Sequence, residues 1–213
     1  MSFHRAVSRG PTHPASLRVL PAVVLCMAAW CACPGDGLAE EALSEGWVSF
    51  DGVTTAPSPP ELHVLSSTPS ALEIRTPGVL CTSIVEGEME FVKLELPGYD
   101  RTGEVGHPAL PAVRQLFALP RGAAVDVGVA VSDSIVYSGT VVYPVPAEVT
   151  HYTEEGWPYP AEEFAYDEQA YGRGGYCPEE MACAGSSGTL RGQGVALLTV
   201  HPIQYDPGVE RTR

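Results

Sequence analysis

Val125-Asp126-Val127-Gly128-Val129-Ala130-Val131 alternates branched apolar residues with small or polar ones at a period of two. That period places every valine on one face of an extended strand and leaves the other face for water. The pattern recurs along the chain. Leu72 and Ile74 alternate with Glu73 and Arg75. Between Glu88 and Leu96, Met89 and Phe91 share one phase while Val92, Leu94 and Leu96 share the other, the slip that a β-bulge produces. Two further runs, Ile135 to Val145 and Val195 to Ile203, are apolar on both faces, β-branched and bounded by Gly or Pro, which marks central buried strands. No window of about 12 residues carries a convincing helical period. The 213 residues include 22 Gly and 20 Pro. That is about a fifth of the chain against roughly 12% on average, and so many helix breakers suit turns between strands. Together these features predict an all-β protein: an antiparallel β-sandwich or jelly-roll-like single domain of about eight strands.

Composition bounds the partners. Apolar residues are 45% of the chain and charged ones 18%, which excludes wholesale disorder. With 12 Lys+Arg against 26 Asp+Glu, the net charge of −14 excludes nucleic acid and anionic membrane surfaces as natural ligands. Lys93 is the sole lysine, so a phosphate-binding loop that needs one is not expected.

The N-terminus reads as an address. Arg5, Arg9 and Arg18 precede an apolar run from Val19 to Ala32, too short to span a bilayer but suited to the core of a signal peptide. Gly37-Leu38-Ala39 offers small residues for cleavage after Ala39. A retained membrane anchor or a lipid on Cys33 are the lesser alternatives. The expected organisation is a signal peptide over 1–39, an acidic Pro/Ser-rich linker or loosely docked arm over 40–61, and a β domain over 62–213. No stable membrane anchor remains after cleavage, and the product is secreted, periplasmic or at the cell surface. The removed part carries three of the 12 bases and one of the 26 acids, Asp36, which leaves a net charge of −16. It also removes Cys26, Cys31 and Cys33. Of the remaining three cysteines, Cys177 and Cys183 are the likelier disulfide pair in an oxidising compartment, with Cys81 as a buried apolar residue.

The β domain reads as catalytically silent. Cys177 is followed by Pro178 and two acids, which oppose a thiolate, and no histidine among His63, His107, His151 and His201 forms a recognisable dyad with a cysteine. No metal or cofactor is expected: zinc-ligand spacing is missing, and so is the Asp-x-Asp-x-Asp-Gly calcium loop around Asp167 and Glu168. The adjacent acids Glu154-Glu155, Glu162-Glu163 and Glu179-Glu180 suit a solvated face.

Two motifs stand out. The first is Gly106-His107-Pro108-Ala109-Leu110-Pro111, leading to Leu119-Pro120-Arg121-Gly122-Ala123. The second begins at Leu190-Arg191-Gly192 and runs to His201-Pro202-Ile203-Gln204-Tyr205-Asp206-Pro207. Alone, each is sound turn chemistry around a strand. In this order, separated by an alternating valine strand and a Tyr-rich acidic loop, they resemble the N-terminal propeptide of gingipain-type cysteine endopeptidases over roughly Leu72 to Pro207.

That resemblance implies a secreted β-rich prodomain that assists folding of a gingipain-like cysteine protease domain, in cis or in trans, and keeps it latent. The chain would not be an enzyme by itself. It further implies a loop carrying a basic residue into the protease's specificity pocket. The loop between Phe164 and Cys183 matches the place. Its one basic residue is Arg173, flanked by Gly172 and Gly174, which makes Arg173 the candidate inhibitory anchor. Arg191 is the competing base and is expected to be structural, as are Gly106, Pro108, Leu110, Pro111, Gly192, Pro202, Gln204 and Tyr205. Relatives continue into a further strand and a catalytic domain, so the expectation is a fragment of a longer zymogen, or a stand-alone prodomain, lacking its last strand and exposing an edge along Val195 to Ile203. A different reading is a secreted acidic β-sandwich binding module that grips carbohydrate or a surface protein through Trp157, Tyr159, Tyr166, Tyr171 and Tyr176.

Overall fold

The computed structural model describes residues 16–19, 42–67, 70–120 and 125–213. The expected signal peptide lies outside the described residues except for 16–19. In chain order the strands begin with β1 (Ser16–Val19), β2 (Gly46–Ser49), β3 (Glu61–Ser67), β4 (Ser70–Arg75), β5 (Gly78–Glu86) and β6 (Met89–Glu95). There follow β7 (Arg101–Thr102), β8 (Leu110–Pro111), β9 (Val113–Leu119), β10 (Asp126–Val129), β11 (Tyr137–Ser138), β12 (Ala147–Tyr152) and β13 (Pro158–Glu163). A single helical turn, α1 (Glu168–Tyr171), precedes β14 (Ala182–Leu190), β15 (Gln193–Val200), β16 (Tyr205–Asp206) and β17 (Arg211–Thr212).

These strands form small sheets in the orders β10-β1-β4-β3, β2-β5-β6, β14-β15-β9, β11-β17-β16, β12-β13 and β7-β8. Apart from the two ladders of β1, the named strands pair antiparallel. The fold is therefore the all-β sandwich that the alternation predicts. Its core joins Val79, Leu94, Val113, Val142, Leu198, Ile203 and Tyr205 from three of the sheets and the segments between them. Among the described residues no helix is long and apolar enough to cross a membrane.

Four local expectations change. The phase slip in β6 is not a bulge, because β6 pairs with β5 in unbroken register from Glu86↔Met89 to Leu80↔Glu95. Its cause is an apolar layer on each face. Leu94 belongs to the main core, while Phe91, fully buried, meets the rings of Tyr143, Phe164 and Tyr166 at centroid distances of 5.9, 5.6 and 6.0 Å.

Nor is Ile135 to Val145 a continuous strand. Only Tyr137–Ser138 forms a strand; Gly139 then turns at φ +70°, and Val142, Pro144 and Val145 make single bridges to Val92, Pro108 and Val105. Proline cannot donate to a ladder; Ile135 and Val136 are exposed, and the later part of the segment, from Thr140, serves as a buttress between β6 and the Gly106 motif.

Residues 42–60 are built into the body rather than loosely docked. Here β2 pairs with β5, Val48 and Phe50 pack against the core, and the Trp47 indole donates to Thr54 O at 2.8 Å. The Asp51 carboxylate organises the turn that follows. It accepts from the Thr54 N–H and hydroxyl, the Val53 N–H and the Ser49 hydroxyl, bonds that hold it well below the usual carboxylate range.

Finally, β15 is no exposed edge: it lies between β14 and β9 and pairs with both along its length.

At the end of β15, His201 is buried, and its backbone N–H donates to Met181 O at 2.7 Å. Burial, with a smaller contribution from Arg114, holds the imidazole below its ordinary value of 6.5. The unfolded chain then takes up this proton before the folded one does, so stability should fall as pH drops below about 6.5. The expected result is a lower urea midpoint at pH 5.5 than at pH 7.5, with a smaller gap in His201→Gln. An equal gap in that variant would assign the pH dependence elsewhere.

Candidate functional site

The loop that carries Arg173 starts from a capped turn. Asp167 takes an extended conformation, and its Oδ1 accepts from the N–H groups of Gln169 at 2.8 Å and Ala170 at 3.3 Å. This is N-cap geometry, and it gives the Asp167 carboxylate a structural task. Tyr171 closes the turn from inside. Its ring stacks on Tyr166 at 4.4 Å, and its hydroxyl donates to Val142 O at 2.5 Å. Gly172 is the C-cap, its N–H donating to Glu168 O at 2.9 Å. The chain then emerges into solvent through Arg173, Gly174 and Gly175.

Both sequence motifs converge on this loop. Gly106 accepts from the Asp167 N–H at 3.1 Å and sits at φ +83°. A Cβ there would lie 3.1 Å from Asp167 N and 3.2 Å from its Cβ. Only glycine lets the two backbones meet without strain. Gly106→Ala should destabilise the domain by about 2 kcal/mol, read as a lower urea midpoint. An unchanged midpoint would remove this contact from the account. Beyond Gly106, Pro108 bridges Pro144, and Leu110 and Pro111 form the buried β8.

The second motif braces the opposite side. Cys177 and Tyr205 exchange backbone hydrogen bonds of 2.7 and 2.9 Å. Gln204, fully buried, donates through Nε2 to Pro178 O at 2.6 Å and accepts the Arg213 guanidinium on Oε1 at 3.0 Å. Arg213 in turn covers the Tyr176 ring at 3.8 Å. Asp206 Oδ1 accepts from Gly175 N and Gly208 N, each at 3.1 Å, and so ties the tip of the loop to the turn after β16. Asp206 and Gly208 were absent from the sequence-derived site; the Asp-Pro-Gly turn was their visible signal.

Arg173 itself is exposed, and among the described residues no carboxylate forms an ion pair with it. The nearby carboxylate of Asp206 is occupied by backbone N–H groups. The loop thus presents a free guanidinium on a backbone fixed at both ends. Arg191 differs in kind: with φ +50° beside Gly192 at +82°, it forms the two-residue turn between β14 and β15. Pro202 lines a cleft of about 790 Å³ that Ile203 and Arg213 also line.

Two expectations are corrected here. Cys177 and Cys183 are free thiols rather than a disulfide. Cys177 bridges to Tyr205 and points its Sγ at the Tyr205 carbonyl, 3.1 Å away, whereas Cys183 is committed to Thr199 in the β14–β15 ladder. Burial pushes the Cys177 thiol up, away from the reactive thiolate. Nor do the five aromatics form one platform: Tyr166 and Tyr171 pack inward, while Trp157 and Tyr159 stand out on β13 and the turn before it.

The Propeptide_C25 family model matches residues 54–213. Lys-gingipain HG66 of Porphyromonas gingivalis is 38% identical over 118 residues, which are 54% of this chain and 7% of that protein. Lys-gingipain W83 of the same organism is 37% identical over the same span, with the same shares. The chain therefore spans only a small part of the length of these curated relatives. A solved structure concerned with the zymogenic latency of gingipain K from Porphyromonas gingivalis aligns with a TM-score of 0.52 at 31% identity, covering 65% of this chain and 76% of the other. A complex of Porphyromonas gingivalis RgpB pro- and mature domains aligns at 0.64 and 19% identity, covering 73% and 80%, a likeness of fold alone. With the family match extending over well more than half of its residues, the chain belongs to the C25 propeptide family.

Proposed function

We propose that this chain is the prodomain of a gingipain-type cysteine protease, exported behind the signal peptide at 1–39, which helps the catalytic domain fold and holds it inactive. Arg173 is the residue that enters the protease's specificity pocket. The observation that carries this reading is the loop itself: an exposed guanidinium with no ion pair among the described residues, on a backbone braced by both halves of the family's sequence pattern. A rigid presenter pays little ordering entropy on binding, and an arginine received by an acidic pocket is a strong anchor. The chemistry of peptide cleavage belongs to the partner, and this chain supplies recognition.

Refolding tests both halves of the proposal. A denatured gingipain-type catalytic domain, refolded with this chain, should be recovered in higher yield and without activity until the chain is removed. Equal yield and full activity in its presence would overturn the proposal.

A further inference from the structure

Among the described residues the ribbon formed by β12 and β13 carries no third strand, although an isolated hairpin is marginal in water. Local contacts tie its tip. Thr153 N donates to Trp157 O at 2.9 Å, Gly156 N donates to Thr153 O at 2.9 Å, and the His151 ring stacks on Tyr159 at 5.7 Å.

The Thr153–Trp157 bond fixes which groups face inward. In antiparallel pairing the hydrogen-bonded pairs alternate with non-bonded ones. The register is unbroken from Tyr152↔Pro158 to Ala147↔Glu163. His151, Val149 and Ala147 therefore bond to Tyr159, Ala161 and Glu163. The backbone groups of Glu148, Thr150 and Tyr152 point out along one edge, and those of Pro158, Pro160 and Glu162 along the other.

The two edges are not equivalent. Proline has no N–H, so the β13 edge lacks donors at two of its three outward positions, a device that blocks strand addition. The β12 edge keeps all three donors and three acceptors, and no backbone hydrogen bond from elsewhere among the described residues reaches them. Charge narrows the occupant. Residues 147–163 contain five glutamates and no lysine or arginine. Glu148 and Glu162 face each other across the ribbon in a non-bonded pair, where like charges approach closely and destabilise it. Folding alone gains nothing from that pair; a cationic neighbour relieves it.

We infer that the β12 edge receives an extended, basic segment of the catalytic domain, which adds as a strand beside Glu148, Thr150 and Tyr152. Main-chain bonds would supply affinity, and the glutamates would select lysine or arginine side chains. A second copy of this chain is disfavoured, because two such ribbons would bring ten glutamates together. The inference rests on the prodomain reading and adds a second contact, separate from Arg173.

Hydrogen exchange on the full chain, alone and with a mature gingipain-type catalytic domain, tests it. The amides of Glu148, Thr150 and Tyr152 should exchange rapidly in the free chain and at least about tenfold more slowly in the complex. Thr150→Pro copies on β12 what Pro160 does on β13, removing one outward donor and leaving the ribbon's own bonds intact. It should weaken binding about tenfold, while Thr150→Ala, which keeps the donor, stays within about twofold of wild type. A complex that leaves the three amides unprotected overturns this inference alone, as does a folded Thr150→Pro that binds like wild type. No complex at all overturns the prodomain reading as well. Protection that arises without the protease, from self-association, would replace the occupant with a second copy.

Discussion

Arg173→Ala should weaken inhibition of a gingipain-type protease about 30-fold or more, with the melting temperature unchanged. The first half follows from exposure: the guanidinium makes no ion pair among the described residues, so on the proposed reading it is available to a partner. Buried arginine anchors are worth about 2 kcal/mol or more at protein interfaces, which is the stated factor. The second half follows from how the loop is held. Its bracing bonds go to the backbone of Gly172 and Gly175 and to the side chains of Asp167, Tyr171 and Asp206, none of which the substitution touches. Arg173→Lys should fall between the two, because an ammonium keeps the charge and loses the planar fork. Inhibition constants measured beside thermal melts check both halves. A melting temperature that falls with the inhibition would make Arg173 a structural residue.

The second large effect concerns stability. Gln204→Leu keeps the approximate volume and removes every polar contact the side chain makes. The Pro178 carbonyl loses its partner inside the protein, and the exposed Arg213 guanidinium loses its bond to Oε1, a bond to a charged group worth about 1.5–3 kcal/mol. A stranded polar group costs about 1–3 kcal/mol, so the variant should lose about 3 kcal/mol. For a domain of this size that is a fall in melting temperature of roughly 6–12 °C. The loop should loosen as well, because the same glutamine sits between the Cys177–Tyr205 bridge and the Arg213 stack on Tyr176. Thermal melts and inhibition constants of Gln204→Leu check this, and a melting temperature within about 2 °C of wild type would contradict it.

Where the sequence was legible, one pattern carried it. Strands β4, β10 and β15 announce themselves by alternation or by a β-branched run. Elsewhere tertiary packing overrode the local signal. Phe91 looked out of phase because the aromatic layer that buries it comes from residues 143, 164 and 166, far away in sequence. Ile135 to Val145 read as a strand because an apolar, β-branched run leaves the same trace in a strand and in an irregular segment. The Pro/Ser-rich composition of 40–61 hid the pairing of Gly46–Ser49, although Val48 and Phe50 already stood two residues apart. In the candidate site, Arg173 is proposed because it is the one base in its loop, and Gly106, Gln204 and Tyr205 stand out by their motifs. What a linear reading could not supply was that the two motifs meet on opposite sides of that loop, or that Cys177 would bond to Tyr205 rather than to Cys183.

The most direct test of the central claim is a titration of a mature gingipain-type protease with this chain, following hydrolysis of a small peptide substrate. The account predicts dose-dependent inhibition that saturates at one chain per protease and is relieved at least about 30-fold by Arg173→Ala. Undiminished hydrolysis at saturating concentrations of the folded wild-type chain would contradict it.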